Sequence, residues 1–109
     1  MAGGTRDDGA MTDVEIRHEE SESRYAAYVD GVLAGGAYYE LDDHRIVFTH
    51  TEVDDAFEGK GVGSALARGA LDDVREHSSR RVVPRCPFIK GWIERHPDYD
   101  DLVHAERRS

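Results

Sequence analysis

The chain has 109 residues and a formal net charge of −9, a size that suits one small domain able to bury roughly 60–70% of its unfolded surface and fold without a staple. The acidic balance argues against nucleic acid, whose binding proteins carry a basic excess or stripe, and against an anionic membrane surface; it reads instead as solubility. No apolar run approaches the ~18 residues of a membrane span.

The first ten residues, MAGGTRDDGA, lack a basic region followed by an apolar core and do not read as a secretory signal. Residues 1–12 read as a disordered tail, with Met11 the more natural start. The domain is expected over 13–104, with a short tail at 105–109. A short strand is expected over 14–18. Arg24–Val29 is the next extended run, and Asp30 with Gly31 is a strong hairpin signal. A third run follows over 32–40, weakened by Gly35 and Gly36, which hint at a bulge. The LDDH segment turns the chain into Arg45–Val53, the longest run, rich in β-branched and aromatic residues. Together these make an antiparallel meander.

The pattern then changes period. Val62, Leu66, Ala70 and Val74 recur every fourth residue, supported by Ala65, which predicts a helix with one apolar stripe ending near 77–79. RRVVPRC is a short strand in which Pro84 indicates an edge or bulge. Pro87 suits the first position of a second helix, along which Phe88, Ile89, Trp92, Ile93 and His96 share a face, and Pro97 stops it. The order is β-β-β-β-α-β-α, an α/β (α+β) fold with a mixed, mostly antiparallel sheet and two main helices. The crossover helix allows the fourth and fifth strands to pair in parallel.

Between the fourth strand and the first helix lies FEGKGVGSAL. Backbone N–H groups at a helix start are unpaired and carry partial positive charge, and glycines let that backbone curl round a phosphate. A nucleotide P-loop fails because Gly61, not Ser or Thr, follows Lys60; a dinucleotide fingerprint from Gly61 fails because position 66 is Leu66. An ordinary glycine-rich turn is the bland alternative.

The wider stretch HTEVDDAFEGKGVGSALARGALDDV resembles motif A of the GCN5-related N-acetyltransferases, in which a strand leads to an R/Q-x-x-G-x-G/A loop. Here the loop is Glu58-Gly59-Lys60-Gly61-Val62-Gly63, with Glu58 where the family usually has Arg or Gln. The later VVPRCPFIKGWIERHPDYDDLV resembles the small single-domain members, related to the eukaryotic N-acetyltransferase domain-containing proteins. The chain shows no match to the N-terminal helical pair of larger members, which helps form their acceptor site. The resemblance implies an acetyl-CoA-dependent N-acetyltransferase acting on a small-molecule or peptide amine. It implies that Gly59, Lys60, Gly61, Val62, Gly63 and Ser64 bind the coenzyme A diphosphate. It also implies that the pantetheine arm pairs with the backbone from Thr51 to Val53 on the fourth strand, which splays from the strand ending near Cys86. Lys60 and Arg68 are the first choices for compensating cations, with Arg80, Arg81, Arg85 and Lys90 as others.

Two residues are candidates for the chemistry. Cys86 precedes Pro87 and so falls at a helix N-cap, where a thiolate is favoured; it is an acyl-accepting nucleophile, a wall of the acyl pocket, or a small buried filler. Glu52 shares a strand face with His50, away from Thr51 and Val53, and is the better candidate base for a reacting amine; the alternative is a solvated strand residue. His96 fits a core histidine, and Tyr99 a donor to the leaving thiolate. No metal site is expected, since His50, Glu52, Cys86 and His96 lack ligand spacing. The single cysteine excludes an intrachain disulfide and fits a reducing, cytoplasmic setting. The chain is expected to be a monomer or weak homodimer. A coenzyme A binding module with little catalysis is the alternative function, and an interaction module without ligand a third, which the intact glycine loop disfavours.

Overall fold

The structure, a computed structural model, describes residues 14–104; the tails expected at either end, and the choice of start, fall outside them. Asp30 and Gly31 close a two-residue hairpin with φ of 52° and 79°, the pair of left-handed residues whose twist matches that of the flanking strands. They join β2 (Arg24–Val29) to β3 (Val32–Leu41). A short β1 (Glu15–Glu19) pairs with β2, and β4 (Arg45–Val53) with β3, all antiparallel. The fifth strand, β5 (Arg81–Pro84), lies beside β4 in parallel, so the sheet order is the chain order. The expected meander, crossover and mixed sheet are therefore present.

Helix α1 (Val62–His77) makes the crossover. Val62, Leu66, Ala67, Ala70, Leu71 and Val74 are buried along it; the stripe widens through Ala67 and Leu71 rather than through Ala65, which is half-buried. Gly69 lets the helix lie close on β1, since a Cβ there would stand 3.0 Å from Ile16 Cγ1. Helix α2 (Pro87–Glu94) starts at Pro87 as expected but stops two residues before His96. The chain continues through a single 3-10 turn at Pro97–Tyr99 into a one-turn α3 (Asp101–His104), which the sequence reading missed. Leu102 anchors it in the core.

The helices pack on one face of the sheet. Tyr25, Ala27, Ala37, Tyr39, Ile46, Phe48 and Val82 share one core with Leu66, Leu71, Ile89, Trp92 and Leu102, each large side chain contributing roughly 1.5–3 kcal/mol by burial. The other face carries Arg17 over the Tyr28 ring and Arg24 near Tyr38.

Two irregularities shape the site. In β3 the register shifts so that Ala34 is the extra residue beside Gly35. In β4 the register jumps from His50 to Phe48, leaving Thr49 as a bulge. A bulge bends its strand, and parallel pairing with β5 ends at the same level, at Phe48 and Pro84. One more bond follows, from the Cys86 N–H to the Phe48 carbonyl at 2.9 Å. Beyond it β4 and the chain after β5 part company. The expected splay is thus opened by the bulge on one side and by Pro87 turning the chain into α2 on the other.

Candidate functional site

The upper half of β4 is paired on one side only. The Asp54 N–H donates to the Ala34 carbonyl at 2.8 Å. Backbone groups alternate sides along a strand, so Glu52 also faces β3, while the N–H and C=O groups of Thr51 and Val53 face the open side of the splay. Glycine at position 35 permits this arrangement, since a Cβ there would lie 2.5 Å from the Glu52 carbonyl oxygen.

From Val53 the chain runs straight to the glycine turn. The Asp54 carboxylate accepts from the Ala56 N–H at 2.9 Å and caps a 3-10 turn at Asp55–Phe57. Gly59 and Gly61 follow with φ of 81° and 80°, and a Cβ on either would meet nothing within 4 Å; left-handed backbone, not crowding, selects glycine there. Gly63 has a different cause. A Cβ on it would stand 2.9 Å from Phe88 Cζ, so the third glycine makes room for the tip of the Phe88 ring. Gly61 is the N-cap of α1 and supplies no side-chain cap, and the first turn holds no acidic residue. The opening amides of α1 therefore lack intrahelical partners and favour an anion.

Val53, Gly59, Gly61, Gly63, Ser64, Phe88, Trp92, Arg95 and His96 line a groove of about 420 Å³. It joins the open strand edge to the uncapped helix start, so Val53 shares one surface with the expected loop residues Gly59, Gly61, Val62, Gly63 and Ser64, while Lys60 lies outside the lining. Thr51 reaches it indirectly: the Cys86 thiol donates to Thr51 Oγ1 at 3.1 Å across the splay. Cys86 is 2% exposed. It is the N-cap of α2 but caps nothing with its side chain.

Glu52 lies on the opposite face of β4, as alternation requires, with its carboxylate 2.6 Å from His50 Nε2 and its side chain 61% exposed. It borders a separate hollow with Tyr38, Thr51 and Asp54. Cys86 and Glu52 thus reach the splay from its two faces.

Arg95, which the sequence reading passed over, stands on the groove wall; it follows Trp92 by three residues, which puts the two on one flank of the chain. Arg68 is instead engaged under α2, with its guanidinium 5.4 Å from the Trp92 ring and a 3.4 Å bond to the Tyr99 hydroxyl. Arg80 donates to the Asp42 carbonyl at the far end of the sheet. Tyr99 donates to Asp72 at 2.7 Å; burial first, and then that carboxylate, push its hydroxyl pKa up. It ties the C-terminal turns to the middle of α1, about 15 Å along the helix from its start, which does not fit a donor at the splay. His96 lies past the end of α2, stacked on Trp92 at 3.8 Å.

A second hollow, of about 480 Å³, lies at the other end of α1. Its polar groups partner one another: Tyr25 donates to Asp73, the Tyr39 hydroxyl meets His18, and His77 meets Asp73. Among the described residues no group of three or more His, Cys, Asp or Glu side chains converges to hold a metal. Nor is any helix long and apolar enough to cross a membrane.

An antiparallel meander, a crossover helix and a splayed parallel pair ending at an uncapped, glycine-led helix define an acyltransferase-like α/β protein. The profile of the family described as GCN5-related N-acetyl-transferase matches residues 24–102, and the chain belongs to that family. It is 28% identical over 95 residues to Protein NATD1 of Gallus gallus, covering 85% of this chain and 86% of that one. It is 31% identical over 86 residues to Protein NATD1 of Bos taurus, covering 77% and 75%. Among solved structures, a ribosomal-protein-alanine N-acetyltransferase from Brucella melitensis biovar Abortus 2308 aligns with a TM-score of 0.49 and 23% identity. The match covers 79% of this chain and 64% of that one, so this chain spans under two thirds of its length.

Proposed function

We propose that the chain is an N-acetyltransferase that uses acetyl-CoA and acts on an amine. The observation that carries the reading is the continuity of the groove. A strand edge that no described strand pairs at Thr51 and Val53 runs into helix amides that no described side chain caps. That combination suits a ligand with amides at one end and a diphosphate at the other. The groove lining carries one acidic residue, Glu58, which opposes the fit, and one arginine, Arg95, which supports it; Lys60 would have to reach in from outside that lining, and family membership favours the same ligand.

Acetyl-CoA would supply an acyl thioester, whose C–S bond is exchanged for the C–N bond of an amide with release of the thiol. The chain's own residues would bind, orient and move a proton. Thr51 and Val53 hold the arm by backbone bonds; the amides of 61–64, with Lys60 and Arg95, hold the diphosphate. Glu52 takes the proton of the incoming amine on the helix-free face, with His50 at 2.6 Å holding its carboxylate in place. Cys86, buried and bonded to Thr51, serves as a wall of the acyl pocket, and the amine attacks directly.

The test is thiol release from acetyl-CoA across a panel of small amines, amino acids and peptides. Release that depends on one class of amine is the expected result. Tight coenzyme A binding without release under any amine would make the chain a binding module.

A further inference from the structure

We infer that the Trp92 indole positions the Ser64 hydroxyl as a side-chain donor to the diphosphate, an inference that rests on the coenzyme A reading above. Ser64 is the third residue of α1, whose N-cap Gly61 has no side chain. A serine at that place commonly turns back on the local backbone and satisfies the amides itself. Here it does not. The indole N–H, a donor with no acceptor capacity, reaches Ser64 Oγ at 3.0 Å. The oxygen is engaged as an acceptor, its hydrogen is left to donate, and Ser64 sits on the groove wall between the open amides and Trp92. In such a chain each hydrogen bond polarises the next, so the indole strengthens what the hydroxyl offers an anion.

The indole is held on every side. Trp92 is buried. His96 stacks on it at 3.8 Å and 12°. Because a carbonyl only accepts, His96 Nδ1 must donate in its 2.7 Å bond to the Trp92 carbonyl, which locks the stack to the end of α2. The Arg68 guanidinium lies 5.4 Å from the ring centroid. Together with Phe88 against Gly63, the Trp92–Ser64 bond fixes the first turn of α1 to α2. Trp92 is thus a positioning residue and Ser64 the group that meets the ligand.

Calorimetric titration of coenzyme A, and of pantetheine, which lacks the diphosphate, separates this from a merely structural role. The parent, Ser64→Ala, Trp92→Phe and the double variant are compared. Coenzyme A affinity should fall about tenfold in each single variant, the scale of one hydrogen bond to a charged group. The double variant should be no weaker than either, and pantetheine affinity should not move. Ser64 is exposed, so Ser64→Ala keeps the fold even if Trp92→Phe does not. Unchanged coenzyme A affinity in Ser64→Ala overturns the inference, as do equal losses for both ligands or additive losses in the double variant. A parent that binds no coenzyme A overturns the functional reading itself; a parent and Ser64→Ala that bind it equally overturn only this step.

Discussion

Glu52 and Cys86 stand on the two faces of β4, and the proposed mechanism gives them different work. The Glu52 carboxylate is open to solvent and held by His50, on the face that the helices leave clear for an amine. Glu52→Gln keeps the shape and removes the proposed base, so turnover should fall roughly 10²-fold or more while acetyl-CoA affinity holds; equal turnover would return Glu52 to the role of a solvated strand residue. Cys86 is enclosed and donates its proton to Thr51. A nucleophilic thiol would trap the acetyl group and give ping-pong kinetics. Direct attack predicts instead that Cys86→Ala still transfers acetyl, and that intact-mass spectrometry of the parent mixed with acetyl-CoA alone finds no adduct. A stable gain of one acetyl group, absent from Cys86→Ala, would reverse the assignment. Both residues were visible in the sequence because chemistry-bearing side chains beside a strand end or a proline are few. Their separation onto opposite faces followed from strand alternation. The contact between Cys86 and Thr51 did not, since the two lie 35 residues apart.

At the scale of elements, the strands and both long helices were legible because each has a strong local cause: the Asp30 and Gly31 turn, the fourfold apolar repeat of α1, Pro87 at the head of α2. What was not legible is tertiary. Gly35 read as the mark of a bulge and Gly63 as part of a phosphate cradle, yet each also marks a close approach, by the Glu52 carbonyl and by the Phe88 ring. The one-turn α3 carries too little periodicity to register, and only Leu102 in the core reveals it. The Gly35 contact has a measurable consequence. Gly35→Ala sets a methyl 2.5 Å from a backbone oxygen and should cost about 1–3 kcal/mol in urea unfolding; a neutral substitution would mean that β3 and β4 are not so close. The LDDH turn offers a test by pH. Asp42 is held down from its ordinary 3.8 to about 2, first by the Arg45 side chain and then by the His44 N–H. A carboxyl depressed on folding contributes stability above its unfolded pKa and loses it as pH falls through the folded one. The advantage in melting temperature of the parent over Asp42→Asn should therefore be full at pH 6 and fade between about pH 4 and 2. A difference that ignores pH would contradict the Arg45 pairing.

Across the whole molecule, a chain with a net charge of −9 is proposed to bind a polyanion, and the fold reconciles the two by local means. The uncapped start of α1 supplies oriented amides, its first turn holds no carboxylate, and Arg95 is brought to the groove by α2. Two hollows that compete as binding sites lie at opposite ends of α1. The groove at its N-terminus adjoins backbone that no described strand or side chain pairs on two elements; at the other end His18, Tyr25, Tyr39, Asp73 and His77 bond to one another. The family could be read from the glycine loop and its neighbours, whereas the far wall of the groove, Phe88, Trp92 and Arg95, needed the packing of α2 on α1. The central claim is that one ligand spans strand edge and helix start. It is tested most directly by titrating coenzyme A into ¹⁵N-labelled protein and following the backbone amides. The account predicts the largest shifts at Thr51, Val53 and residues 61–64, with the Trp92 indole resonance moving alongside them. Shifts confined to His18, Asp73 and His77, or none at saturating coenzyme A, would contradict it.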